Sequence, residues 1–162
     1  MSYFAAALAR TPDGWTAEEL DLDGLPDVDA VADLVRDVDD EAETALLFVE
    51  EDDEYVAILR VDAGAAEPRV FVSDAAAAES YAMAGIFAGA VEEVDPPDPD
   101  DEDSAPPTTE PLGDADLLAD LGTPRRELIA LVTHERTLPA DVISEVCERA
   151  GCLDELETLR GA

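Results

Sequence analysis

Lysine is absent from this 162-residue sequence, so all nine basic side chains are arginines, set against 42 aspartates and glutamates for a formal net charge of −33. Binding to a polyanion depends on cations that displace the counterions of phosphate. A chain this poor in cations is not expected to bind nucleic acid directly, and anionic membrane surfaces are excluded for the same reason. Long apolar runs are missing too, and none approaches the roughly 18 residues that a membrane helix requires. The opening MSYFAAALARTPDGW is apolar but carries no basic n-region, which argues against a secretory signal and for a cytoplasmic protein. Aromatic residues make up only 5 %, so aliphatic side chains and alanine must fill the core of a chain that is 47 % hydrophobic. Histidine occurs once, at His134, and cysteine twice, at Cys147 and Cys152. A zinc site would need further soft ligands, and no cofactor is expected. Neither a phosphate-binding glycine loop, a G-x-S-x-G elbow nor an H-E-x-x-H helix is present.

What is present is acid, unevenly spread. Residues 1–91 hold 22 acids and 4 arginines, residues 92–120 hold 12 acids and no arginine, and residues 121–162 hold 8 acids and 5 arginines. Composition alone allows a GC-rich coding bias, a halophile's surface or a basic partner as the cause. The stretch VEEVDPPDPDDEDSAPPTTEP is the extreme. Its prolines lack backbone donors, and its like charges and low hydrophobicity cannot offset the entropy of ordering. Calcium is the competing use of so many carboxylates, but an EF-hand loop needs a central glycine and a terminal glutamate that this order lacks. The expected organisation is an α+β domain over 1–91, an acidic, proline-rich flexible linker over 92–116 and a helical C-terminal segment over 117–162.

The hydrophobic pattern fills in that outline. SYFAAALA alternates like a strand, TPDG has the residues of a tight turn, and WTAEELDL is expected to return as a second strand. A helix start competes there, because Thr16 and Glu19 also spell a capping box. DVDAVADLVRDV places Val28, Val31, Leu34, Val35 and Val38 on one helical face, with Asp27 as N-cap. TALLFVE is a continuous apolar run and predicts a strand covered on both faces. EYVAILRVD and RVFVSD follow as strands, and the alanine-rich stretch ending GIFAGAV as a helix. The order is therefore β-β-α-β-β-β, and the short turns require a mainly antiparallel sheet of about five strands. Beyond the linker, DADLLADL ends at Gly122. Thr123 and Pro124 have the grammar of a helix start, and two further helices carry stripes at Val142, Val146 and Ala150 and at Leu153, Leu156 and Leu159. So short a leucine-rich segment is expected to dock on the sheet or pair with a partner.

Candidate sites are few. The acidic turn EEDDE, residues 50–54, could hold a divalent cation as a carboxylate-dependent hydrolase would, or it could keep a hairpin tip soluble. Trp15, the sole tryptophan, reads equally as a half-buried sheet residue or as an anchor for a partner. Trp15, Asp52, Asp53 and Glu54 are the candidate interface residues. His134, near a helix C-terminus, has no second motif that would make it a general base. Cys147 and Cys152 flank a helix end, where buried packing is the simplest role.

Four stretches together, YFAAALARTPDGWTAEELDLDGL, LLFVEEDDEYVAILRVD, PRVFVSDAAAA and LPADVISEVCERAGCLDELETL, resemble the actinobacterial tRNA adenosine deaminase-associated protein family. The resemblance implies a link to the tRNA adenosine deaminase, and together with the acidity and the missing catalytic motifs it points to a non-catalytic accessory or regulatory partner of that enzyme. It does not imply that the chain is the deaminase, whose zinc site takes H-x-E and P-C-x-x-C. Here Glu135 follows His134 directly, and the cysteines are spaced Cys-x4-Cys.

Overall fold

In the computed structural model the described residues are 3–22, 24–39, 41–51, 54–64, 68–74, 77–91, 112–133 and 137–161. Strand β1 (Tyr3–Thr11) turns back into β2 (Gly14–Glu19), so the TPDG turn and the strand after it form as the sequence predicts. Helix α1 (Val28–Arg36) follows, and the Asp27 side chain caps it by accepting from the Ala30 N–H at 3.0 Å. Strands β3 (Thr44–Glu51), β4 (Tyr55–Asp62) and β5 (Arg69–Val72) complete the expected antiparallel set. The β-β-α-β-β-β reading of an α+β domain holds. A sixth strand that the pattern did not predict, β6 (Leu112–Gly113), pairs with β5 to give the order β2-β1-β3-β4-β5-β6.

Alternation along the strands feeds two cores. Ala5, Ala7, Leu47, Val49, Ala57, Leu59 and Val72 point to one face, where α1, α2 (Ala77–Ser80) and α3 (Ala82–Val91) cover them. Ala6, Leu8, Leu46, Phe48, Val56, Ile58 and Phe71 point to the other. There they meet a 3-10 turn (Ala119–Leu121) and helices α4 (Arg125–Thr133), α5 (Pro139–Ala150) and α6 (Leu153–Gly161). The leucine-rich C-terminal helices thus dock on the sheet, and β3 and β4 are covered on both faces as their unbroken apolar runs require. Among the described residues no helix is long and apolar enough to cross a membrane.

Three details depart from the pattern. The helix read through GIFAGAV is broken at Tyr81, although Tyr81 N–H and C=O still bond to Ala77 and Gly85 across the break. The Tyr81 ring lies 5.5 Å from that of Tyr55. Thr123 does not cap α4. Pro124 takes the capping place, its carbonyl accepting from Glu127 and Leu128, while Thr123 is fully buried and its Oγ1 has no hydrogen-bond partner. The Thr123 N–H bonds to Leu118 O at 3.1 Å, which folds the residue inward. Of the stretch expected as a linker, residues 92–111 lie outside the described residues, whereas Leu112 and Gly113 join the sheet. Gly113 sits at φ +100, and a Cβ there would stand 2.2 Å from Val70 O, so only glycine lets β6 approach β5.

Candidate functional site

The β3–β4 hairpin places Glu51 and Glu54 at one end of the sheet. Glu51 pairs with Tyr55 across the ladder, and the Glu54 N–H closes the turn on Glu51 O at 3.0 Å. Glu51 is buried, because Tyr55 Oη donates to its Oε1 at 2.9 Å inside the first core. That carboxylate supports the hairpin from within, and it is not offered to solvent. Glu54 is exposed, while Asp52 and Asp53 lie outside the described residues, as does His134. The alternative of a divalent-metal hydrolase at residues 50–54 finds no support here. Among the described residues no group of three His, Cys, Asp or Glu side chains is placed to hold a metal ion.

Trp15 stands at the other end of the sheet. Arg10 lies opposite both Trp15 and Thr44, whereas Tyr3, seven residues earlier on β1, lies opposite Glu51. At about 3.3 Å per residue the two sites are about 23 Å apart along the strand direction. The structure therefore does not bring Trp15 and Glu54 into one patch. Trp15 is half-buried, packed on the second core where α6 crosses β2. A Cβ built on Gly151 would lie 4.0 Å from its Nε1.

Among the described residues the strongest electrostatic feature centres on β4. Arg60 lies two residues from the end of β4 on the face toward the C-terminal helices, with only 7 % of its side chain exposed. Its Nη1 donates to Leu117 O at 2.6 Å and to Asp120 Oδ1 at 2.5 Å, its Nη2 to Asp120 Oδ2 at 2.8 Å, and its Nε to Asp62 Oδ1 at 3.0 Å. Asp120, hydrogen-bonded and attracted by that guanidinium, is held below the ordinary carboxylate range despite some burial. The same Asp120 bonds, outweighing the cost of burial, hold Arg60 still more firmly in its cationic form. An arginine flanked by the apolar residues of YVAILRV was the available signal: such a cation must meet an anion when it is buried.

A second pair, Arg69 Nε to Asp114 Oδ2 at 2.6 Å, ties β5 to the segment after β6. Burial pushes the Asp114 carboxyl up, but the bonds from Arg69 and from the Asp116 N–H outweigh it and leave the carboxyl low. Arg125 reaches Asp116 at 3.4 Å, and Arg149 bridges Glu127 on α4 and Glu145 on α5. These arginines are thus engaged with carboxylates of the fold itself. Exposed acids remain on α1 and after it (Asp29, Asp37, Glu41, Glu43) and on β2 (Glu18, Glu19).

An open cleft of about 260 Å³ lies where the end of α1 meets the ends of β3 and β4, lined by Arg36, Asp39, Ala45, Val61, Asp62 and Gly64. Asp62 is engaged by Arg60 and by the Thr44 hydroxyl, and Arg36 by Asp33. No nucleophile with an adjacent base is assembled there among the described residues.

Comparison with known proteins adds one finding. The family model described as Rv3753c-like tRNA adenosine deaminase-associated protein matches residues 3–153, which takes in the whole first core and the second as far as Leu153. No curated protein and no solved structure matches the chain.

Proposed function

This chain belongs to the tRNA adenosine deaminase-associated family, and on that footing we propose that it is a non-catalytic accessory or regulatory protein that binds the tRNA adenosine deaminase through its acidic surface. Family membership is the observation that carries the reading. Surface chemistry supports it, because an enzyme that holds tRNA presents cations to phosphate. The net charge of −33, with acids exposed on α1 and β2, complements such a surface. The apolar stripes of α4, α5 and α6 are buried on the sheet, so among the described residues, Leu138 apart, the exposed surface offers mainly charge for recognition. A tRNA substrate for the partner supports a cytoplasmic location for the complex.

The test is co-expression with the deaminase, tagged purification and an inosine assay on tRNA. Association is expected to be fast at low salt and to weaken steeply as salt rises, because complementary charges act chiefly by steering encounter. Neutralising Asp52, Asp53 and Glu54 together slows association without unfolding the domain, and excess tRNA competes. An accessory subunit raises or preserves inosine formation, whereas an acidic competitor of tRNA lowers it. Failure of the two proteins to copurify at low salt would overturn the proposal.

A further inference from the structure

Cys147 and Cys152 are five residues apart, a spacing that an uninterrupted helix places on different sides, since helical neighbours are three and four apart. The chain does not continue as a helix between them. Gly151 adopts φ +91, its N–H bonds to Glu148 O at 3.3 Å, and the Cys152 N–H returns to Cys147 O at 2.9 Å. These two bonds are a Schellman C-cap, in which the residue after the left-handed glycine folds back over the residue three places inside the helix end, the two positions between which a hydrophobic side-chain contact frequently forms. In most proteins that contact joins two aliphatic side chains. Here both positions are cysteine, both fully buried in the second core and both reduced.

We infer that Cys147 and Cys152 form a redox-convertible dithiol, closed to an intramolecular disulfide by a low-molecular-weight disulfide oxidant such as oxidised glutathione. A disulfide needs Cα atoms roughly 4.4–6.8 Å apart, and the direct bond from Cys152 N–H to Cys147 O brings the two backbones to about that separation. The reaction is two exchanges. One cysteine thiolate attacks the oxidant's sulfur–sulfur bond, giving a mixed disulfide and expelling one small thiolate. The second cysteine thiolate then attacks the sulfur of the first, forming the Cys147–Cys152 bond and expelling the second small thiolate. The protein loses two electrons and two protons, and the oxidant becomes two thiols. Both sulfurs are buried, so the exchange waits on local opening. Cys152 lies in the turn between α5 and α6, and lifting α6, the last helix, uncovers it first. Closure staples the end of α5 to the start of α6, the helix that lies over β2.

The molecule carries its own reporter. Trp15, the only tryptophan, lies against this cap, its Nε1 being 4.0 Å from where a Cβ of Gly151 would stand. The full chain is equilibrated in glutathione buffers of graded poise, its remaining thiols are alkylated under denaturing conditions and counted by mass, and Trp15 fluorescence is followed in parallel. The expected result is joint loss of both thiols with loss of two hydrogens and no adduct. The oxidised-to-reduced ratio should change tenfold for each ~30 mV, with a coincident change in fluorescence. Cys147→Ser and Cys152→Ser should each abolish the transition and retain a glutathione adduct instead. Two alkylatable thiols at the most oxidising poise, or wild-type protein that ends as glutathione adducts or as cross-linked dimers, overturns the inference. The wild-type measurement decides by itself if the serine variants fold poorly.

Discussion

Arg60 and Asp120 are 60 residues apart in the chain and meet through two parallel N–H···O bonds, one of 2.5 and one of 2.8 Å. The pair joins the central sheet to the turn that leads into the C-terminal helices, and it has the bidentate geometry that suits guanidinium and carboxylate. Removing the two partners should not be equivalent. Asp120→Asn leaves Arg60 its bonds to Leu117 O and Asp62, and the lost carboxylate is itself more than half exposed, so the expected loss is about 1 kcal/mol. Arg60→Ala removes the buried hub of four bonds and leaves a cavity, with an expected loss of about 3 kcal/mol or more. Urea denaturation of both variants and of the double variant measures the pair; equal losses would show that Arg60 contributes only through Asp120.

Acid should act through the same groups. Asp120 and Asp114 have folded pKa values below the ordinary carboxylate value, so the stability they contribute is present above pH about 4 and is lost as pH falls through their folded values. Asp120→Asn should therefore show a shallower loss below pH about 4 than the wild type. Parallel acid limbs for the two proteins in pH-dependent denaturation would contradict the assignment.

Thr123→Val is expected to stabilise the protein. The Thr123 hydroxyl is buried without a hydrogen-bond partner, and removing an unsatisfied hydroxyl at nearly constant volume is worth about 1 kcal/mol. A lower melting temperature in the valine variant would mean that the hydroxyl does find a partner, such as an ordered water.

Self-repulsion among the acids should make stability depend on salt. With a Debye length of about 10 Å at 0.1 M, moderate sodium chloride screens much of the repulsion between exposed carboxylates, so the melting temperature should rise between low and moderate salt. A flat response would show that the acids are already compensated by local pairing or bound cations. A gain that continues into the molar range would identify the acidity as a halophile's adaptation.

Much of the fold was legible because its signals are local. The unbroken apolar runs of β3 and β4, the TPDG turn and the Asp27 cap each state their structure within a few residues. What stayed hidden depends on partners distant in sequence. Nothing near Leu112 announces that two residues will pair with β5, and the need for Gly113 arises only from the carbonyl of Val70. Thr123 has the local grammar of a cap, but its side chain was drawn into the interior by the bond from its N–H to Leu118 O. On the site, the acidic turn was visible as composition, yet the engagement of Glu51 by Tyr55 and the distance from Glu54 to Trp15 follow from strand register. The deepest charge, on Arg60, was visible as one letter in an apolar strand and meaningless until Asp120 stood beside it.

The sheet is one wall between two rooms, and neither room can be emptied alone. Leu46, Phe48 and Ile58 line one side of strands whose alternate residues Leu47, Val49 and Leu59 line the other. Cutting away the C-terminal helices would leave Leu8, Leu46, Phe48, Ile58 and Phe71 facing water, and a bare apolar sheet is a surface that aggregates. A truncated chain would then stick to a partner, to itself or to a column for reasons unrelated to recognition. Mapping of the contact with the deaminase therefore belongs to single charge changes on the intact chain, and heat or denaturant should melt both layers in one transition.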